Sequence, residues 1–291
     1  MRWTLPLSML AAVTTIFTSF AEPPTAGVIG IGLTQSMLPP SEEKKFDVMA
    51  ANFKEVMLAQ TGLKGDPVSA TSAEDLRTKL ADGTLQMGAF QGFEFAWLKR
   101  KYADLEPLML APPTPDALYE VIVVAKDSPV KSLADCRGLK LALAKDARED
   151  TRHFLAHRCQ QLGTNMNAMF PEPRKTESAE EALDNVVDDV AKVAAVDRSV
   201  WKMLERRKPG RAAKLRILEQ SESFIPPVLA YWRGKLDDAV VKKFRDGMTI
   251  AHTTPKGNHL MSQLKVLKFE AIPTNFDKRL IESVKAFPPE P

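Results

Sequence analysis

The chain has 291 residues, of which 44% are hydrophobic and 26% are charged, with 40 basic and 37 acidic side chains. These proportions are typical of a folded globular protein and exclude a disordered, collagen-like or coiled-coil chain. The net charge of +3 is too small to indicate a nucleic-acid-binding protein, and two cysteines exclude a disulfide-rich scaffold. The length predicts two lobes of roughly 100–150 residues each.

Residues 1–21 have the pattern of a secretory signal peptide. Arg2 supplies a positive charge, residues 5–20 are mostly apolar, and Ser19 and Ala21 are the small residues that a cleavage site needs. We therefore predict cleavage after Ala21 and a mature protein located in the periplasm or secreted. The alternative is an uncleaved membrane anchor, for which the apolar stretch is only marginally long enough.

The first part of the chain alternates predicted strands with predicted helices. The strands are short apolar runs, and capping residues such as Ser41 and Ser72 precede helices with apolar residues at helical spacing. In chain order the segments are a strand at 28–33, a helix from Ser41, a strand at 68–70, a helix at 76–80, a strand at 85–90, a helix around 95–98 and a strand at 107–111. This alternation predicts an α/β lobe with a mainly parallel sheet.

The second part begins after the proline-rich segment 112–115, and residues 119–125 are the strongest predicted strand in the sequence. Further strands are predicted at 139–144, 193–196, 215–218, 228–232 and 266–271, and helices at 149–162, 178–187, 199–206, 237–251, 255–264 and 275–286. This part therefore continues the alternation of strands and helices.

The order of these segments resembles the periplasmic substrate-binding proteins of phosphate, phosphite and phosphonate ABC transporters. Residues 120–138, EVIVVAKDSPVKSLADCRG, are similar to that family's hinge strand and the capped turn after it. Segments 73–97, 195–197 and 221–231 resemble other parts of the family in the same order. The resemblance covers nearly all of residues 27–285.

The resemblance implies an α/β, two-lobed type II periplasmic-binding-protein fold. Each lobe is then a mainly parallel sheet flanked by helices, and crossing strands at 119–125 and 228–232 join the lobes. Lobe 1 comprises 22–118 plus 227–291, and lobe 2 comprises 119–226. A small-molecule ligand lies between the lobes, where strand ends and helix amino termini meet. The expected protein is a monomer that delivers this ligand to an ABC permease in the inner membrane, without enzymatic activity or a cofactor.

Twelve residues are candidates for ligand binding because they lie at predicted strand ends or helix starts or in segments that resemble the family. They are Gln35, Ser36, Gln91, Gly92, Phe93, Glu94, Arg148, Glu149, Asp150, Thr151, Asp197 and Tyr231. We expect Asp197 to accept hydrogen bonds from a ligand or to hold the hinge together.

The turn that opens the first helix of lobe 2 departs from the family's serine- and threonine-rich pattern. Only Thr151 offers a hydroxyl there, and the carboxylates of Glu149 and Asp150 at a helix amino terminus repel a phosphonate. Arg148 and Arg152 either restore anion affinity or pair with these carboxylates. We therefore expect a small polar ligand, anionic or phosphonate-like, with weak or no binding of phosphonate itself.

Two other functions are compatible with these patterns. A sensor or scavenging protein has the same fold and no permease. An enzyme on this scaffold would use Glu94, Asp197 and His153, although the sequence has no glycine-rich phosphate loop, serine nucleophile elbow or paired-carboxylate motif.

Histidine and cysteine pairs leave local alternatives. His153 and His157 share one helix face at a spacing that can bind zinc, but a third ligand is lacking, so we interpret them as solvated and expect no metal. Cys136 and Cys159 either form a disulfide, which an exported chain allows, or pack as small apolar residues.

Overall fold

The computed structural model describes residues 27–37, 43–69 and 72–289, so the predicted signal peptide lies outside the described residues. Within these ranges the strands are β1 (Ile29–Leu33), β2 (Gly65–Ser69), β3 (Met87–Phe90), β4 (Leu105–Leu110), β5 (Glu120–Ala125), β6 (Leu141–Ala144), β7 (Arg174–Thr176), β8 (Val193–Asp197), β9 (Leu215–Gln220) and β10 (Val228–Trp232). The helices are α1 (Glu43–Thr61), α2 (Ala73–Asp82), α3 (Gly92–Lys101), α4 (Glu149–Gln161), α5 (Met166–Met169), α6 (Ala179–Val187), α7 (Arg198–Arg207), α8 (Pro209–Ala212), α9 (Asp238–Ile250), α10 (Pro255–Leu264) and α11 (Phe276–Ala286).

The first sheet has the strand order β2-β1-β3-β10-β4. Strands β2, β1 and β3 pair in parallel, whereas β10 is antiparallel to both of its neighbours. Four of the five strands therefore point in the same direction. Strand β10 separates β3 from β4 although it follows them by more than a hundred residues, so this sheet is discontinuous in sequence.

The second sheet has the order β7-β6-β8-β5-β9 and repeats this plan, with β5 as its antiparallel strand. The chain passes from the first sheet to the second through 111–119 and returns through 221–227. Strands β5 and β10 each begin directly after one of these crossings. The two mixed, mainly parallel sheets with flanking helices confirm the predicted fold class.

Two predicted capping residues begin helices, whereas Ser41 lies outside the described residues. The Ser72 hydroxyl accepts a hydrogen bond from the Asp75 amide at 3.1 Å, and α2 ends at Gly83, which has a φ of 88°. The Ser178 hydroxyl accepts a bond from the Glu181 amide at 3.1 Å and begins α6. These bonds satisfy backbone donors that a helix start otherwise leaves unpaired.

Two sheet elements differ from the prediction. Residues 266–271 form no strand but a single bridge between Glu270 and Leu110, because only this residue pair meets the edge strand β4. The short strand β7 was not predicted, since two of its three residues are exposed and charged and give no apolar pattern.

Aromatic rings connect the two halves of the molecule. His153 on α4 stacks on Phe93 of α3 with ring centroids 5.1 Å apart, and it meets the edge of Trp97 at the same distance. Phe287 after α11 also contacts His153 and stacks on Phe224. His153 is only 7% exposed, so its interpretation as a solvated helix residue was wrong.

Cys136 and Cys159 are both buried free thiols in the apolar core beside the second sheet. Burial raises the pKa of each thiol to about 11, which keeps both protonated at neutral pH. In the part of the chain that the structure describes, no helix is long and apolar enough to cross a membrane.

Candidate functional site

A cleft of about 1010 Å³ lies between the two sheets. Residues that follow the carboxyl ends of four strands line it: Gln35 after β1, Gln91 after β3, Lys145 after β6, and Asp197 at the end of β8. Open α/β sheets bind ligands beyond the carboxyl ends of their parallel strands. The cleft is therefore the candidate ligand site.

The amino terminus of α4 forms part of the cleft wall. Its N-cap residue, Arg148, makes no side-chain capping bond, whereas Ser72, Ser178 and Asp237 cap other helices. A helix start carries unpaired backbone N–H groups and a partial positive charge, which together favour an anion. Arg148 and Glu149 both line the cleft at this end.

Arg148 is held by protein groups while it lines the cleft. One guanidinium nitrogen donates to the Ala117 carbonyl oxygen at 2.6 Å and another donates to the Asp150 carboxylate at 2.5 Å. Asp150 is 4% exposed and is absent from the described cleft lining. Burial raises the pKa of this carboxyl, and the charge of Arg148 opposes the rise. The Asp150 side chain therefore turns inward to Arg148 instead of lining the cleft, and its role in ligand binding stays a prediction.

Thr151 also faces the interior. Its hydroxyl donates to the Glu120 carboxylate at 2.6 Å, and both residues are buried. The other carboxylate oxygen of Glu120, Oε1, is buried without a hydrogen-bond partner among the described residues. Burial raises the pKa of Glu120 well above its ordinary value. In this structure Glu120 accepts the hydrogen bond that Thr151 was expected to offer to a ligand, so ligand binding by Thr151 stays a prediction.

Three further charged residues on the lobe 2 side of the cleft also contact protein groups. Arg152 donates to the Lys145 carbonyl at 2.9 Å and lies 3.9 Å from Glu149, and the Lys145 ammonium pairs with Glu177. Asp197 caps α7 by accepting hydrogen bonds from two backbone amides, at 3.0 and 3.3 Å. Much of the charge on this wall is therefore compensated within the protein.

On the opposite wall, Gln35, Ser36 and Gln91 line the cleft. Glu94 lies behind them and accepts bonds from the Thr34 hydroxyl and the Gln91 amide, both at 3.1 Å. Burial raises the pKa of Glu94. Glu94 thus holds the turn after β3 instead of lining the cleft.

Three further candidates lie away from the described cleft lining, so their roles in ligand binding stay predictions. Gly92 packs against the second crossing so closely that an added Cβ would lie 2.1 Å from the Ile225 carbonyl oxygen. Phe93 points into the aromatic contact with His153, and Tyr231 packs on the core of the first sheet. Of the three residues considered for catalysis, Glu94, His153 and Asp197, only Asp197 is among the described residues that line the cleft.

The sequence interpretation missed the apolar part of the cleft. Side chains of α1 and of the segment after α10 line it, namely Phe46, Val48, Met49, Leu264 and Val266. Phe46 and Met49 follow helical spacing, which is typical of a core face, so no sequence signal marked them as cleft residues. No group of histidine, cysteine or acidic side chains suited to a metal ion occurs within the described ranges.

Comparison with known proteins identifies the family. Residues 36–275 match the family described as "ABC transporter, phosphonate, periplasmic substrate-binding protein". No curated protein matches the chain.

Three solved structures are similar in fold. The XAC2383 protein of Xanthomonas citri, bound to chloride ion, has 17% identity and a TM-score of 0.65, over 89% of this chain and 97% of that one. A binding protein component of an ABC phosphonate transporter from Pseudomonas aeruginosa has 17% identity and a TM-score of 0.58, over 89% and 85%. PhnD1 from Prochlorococcus marinus, in complex with methylphosphonate, has 12% identity and a TM-score of 0.58, over 89% and 97%. From the match over residues 36–275 and the shared fold, the chain belongs to the family of periplasmic substrate-binding proteins of phosphonate ABC transporters.

Proposed function

We propose that this protein is an exported monomeric receptor that binds a small organic anion in the cleft and delivers it to an ABC permease. The observation that carries the proposal is the amino terminus of α4, which enters the cleft without a side-chain cap and beside Arg148. Among the described residues that line the cleft, five are cationic and three are acidic. Backbone amides at the helix start favour a negatively charged ligand, whereas the cationic side chains contribute less than their number, because Glu177 and Asp150 pair with Lys145 and Arg148.

The proposed mechanism is closure of two lobes, 22–118 plus 227–291 and 119–226, about the crossings 111–119 and 221–227. A ligand that contacts both walls stabilises the closed state, because only closure lets it make both sets of contacts. Closure buries the ligand and changes the surface that a permease recognises. A receptor that acts as a sensor would use the same motion without a permease.

We propose that the ligand carries one negative charge and that phosphonate binds weakly. The hydroxyl of Thr151 is already bonded to Glu120, and Asp150 compensates much of the Arg148 charge. Each neutral hydrogen bond that a phosphonate lacks weakens binding by about 0.5–1.5 kcal/mol, so two or three cost about 5- to 2000-fold in affinity. The Glu149 carboxylate at the same helix end also repels a dianion more than a monoanion.

Titration calorimetry of the mature chain with phosphate, phosphite, methylphosphonate, methanesulfonate and acetate tests this proposal. We expect a monoanion to bind more tightly than the dianions, and Glu149→Gln to improve phosphonate binding severalfold. Glu172→Gln is the matched control, because Glu172 is exposed and absent from the described cleft lining. Micromolar binding of methylphosphonate to the unaltered protein would overturn the charge argument. Absence of binding by every anion would overturn the proposed function.

A further inference from the structure

A small apolar cavity of about 90 Å³ adjoins the cleft on the lobe 1 side. The described residues that line it are all apolar, and they include Phe53, Ala111 and Phe269, which do not line the cleft. The residues that line both this cavity and the cleft are Leu33, Met37, Met49, Pro227, Leu264 and Val266. The cavity is therefore a side pocket of the ligand site.

The two walls of the cleft differ in character. The wall around the mouth of the side pocket has an apolar patch that includes Phe46, Val48 and Val266, and Lys45, Gln263 and Lys265 of the same segments also line the cleft. The facing wall carries Lys145, Arg148 and Arg152 beside the start of α4. A ligand that contacts both walls needs a charged end and an apolar end, because a fully polar molecule would lose hydration against the apolar wall without gaining hydrogen bonds.

We infer that the natural ligand is an organic anion with a short aliphatic substituent, and that this substituent fills the side pocket. This inference rests on the proposed function, because the charged group must first bind at α4. Water is a poor occupant, since a buried water needs polar partners and the described lining offers no polar side chain.

The size of the pocket limits the substituent. A water-sized group takes about 30 Å³, so about 90 Å³ holds about three carbon atoms. A cavity that binds benzene is larger, about 150 Å³. The side pocket therefore fits a propyl- or butyl-sized chain and excludes an aromatic ring.

Calorimetry with a series of linear alkyl chains tests the inference. The probes are alkanesulfonates, alkylphosphonates and carboxylates with one to six carbons on each head group. Each methylene that enters the pocket should tighten binding about fourfold, so three successive carbons give about 50-fold, after which the gain falls. Ala111→Leu should remove most of this gain, since it adds three carbons to a side chain that lines only the side pocket. Met49→Ala should enlarge the pocket, so that the affinity continues to increase for probes with longer alkyl chains.

A second measurement locates the chain. In protein labelled at the methionine methyl groups, the butyl probe should shift the NMR signals of Met37 and Met49 and leave that of Met203 on α7 unchanged. Anion binding without a gain from chain length would overturn this inference and leave the proposed function standing. The inference would also be overturned if Ala111→Leu left the gain in affinity with alkyl length unchanged, or if the butyl probe left the Met37 and Met49 signals unshifted. If no anion of any length binds, both proposals fail.

Discussion

Replacing Arg148 with alanine should destabilise the protein by about 3 kcal/mol, because the change leaves buried acids without their cation. Asp150, 4% exposed, bonds Arg148 at 2.5 Å, and the charge of Arg148 also opposes the raised pKa of the fully buried Glu120. Breaking a buried ion pair typically costs 3–5 kcal/mol, and the lower end applies because the Arg148 side chain is 31% exposed. For a chain of this size the loss corresponds to a fall in melting temperature of about 6–12 °C.

Arg152→Ala is the matched control for this prediction. Arg152 lies on the same helix, but it is more exposed and lies 3.9 Å from Glu149, so its loss should cost less than about 1 kcal/mol. Urea denaturation at pH 5 and pH 8 measures both variants. The cost of Arg148→Ala should be larger at pH 8, where the buried acids are driven to ionise, and Asp150→Asn in the same chain should recover part of it. Equal costs for the two arginine variants, or a cost independent of pH, would refute this electrostatic account.

Three other substitutions probe groups around the cleft. Glu120→Gln should stabilise the protein more at pH 8 than at pH 5, measured by urea denaturation. The raised pKa of Glu120 makes the stability of the wild type fall as pH rises above 4.5, the ordinary pKa of a glutamate. An equal effect at both pH values would contradict this. Burial lowers the pKa of His153 to about 4, so the free energy of unfolding of the wild type falls as pH drops from 6.5 to 4. His153→Phe should reduce that fall by about 2–3 kcal/mol, measured by chemical denaturation. Gly92→Ala should lower the free energy of unfolding by about 3 kcal/mol, because the added Cβ would lie 2.1 Å from the Ile225 carbonyl oxygen. Thermal melts measure this effect, and Gly210→Ala is the control, because no atom lies within 4 Å of its added Cβ.

The fold could be predicted because its local signals agree with its packing. Ser72 and Ser178 sit where helix starts need an acceptor, and apolar runs such as 228–232 are long enough to be buried strands. The segment 266–271 interrupts its apolar residues with Lys268 and Glu270, and it meets the edge strand β4 only through the bridge between Glu270 and Leu110. Whether a segment pairs depends on the sheet edge that it meets, and local sequence does not contain that information.

The site was less predictable, because the direction of each side chain depends on distant partners. Gln35, Gln91 and Arg148 could be placed at the cleft, since strand ends and helix starts meet there. Successive residues in the first turn of a helix point in different directions, and which of them faces inward is set by partners such as Glu120, 31 residues away from Thr151. Phe93 likewise faces inward because His153 arrives from the other half of the molecule.

The position of β10 between β3 and β4 has a consequence for the order in which the chain acquires structure. Strands β3 and β4 do not pair with each other, so the first sheet stays open until residues 228–232 arrive from the far side of the second sheet. The second sheet uses only strands between residues 120 and 220, and its longest pairings close somewhat shorter loops than those of β10. A chain that emerges from a membrane channel amino terminus first can therefore complete its second sheet while the first still exposes two strand edges. Those edges carry unpaired backbone groups, so two chains at this stage would be able to exchange β10.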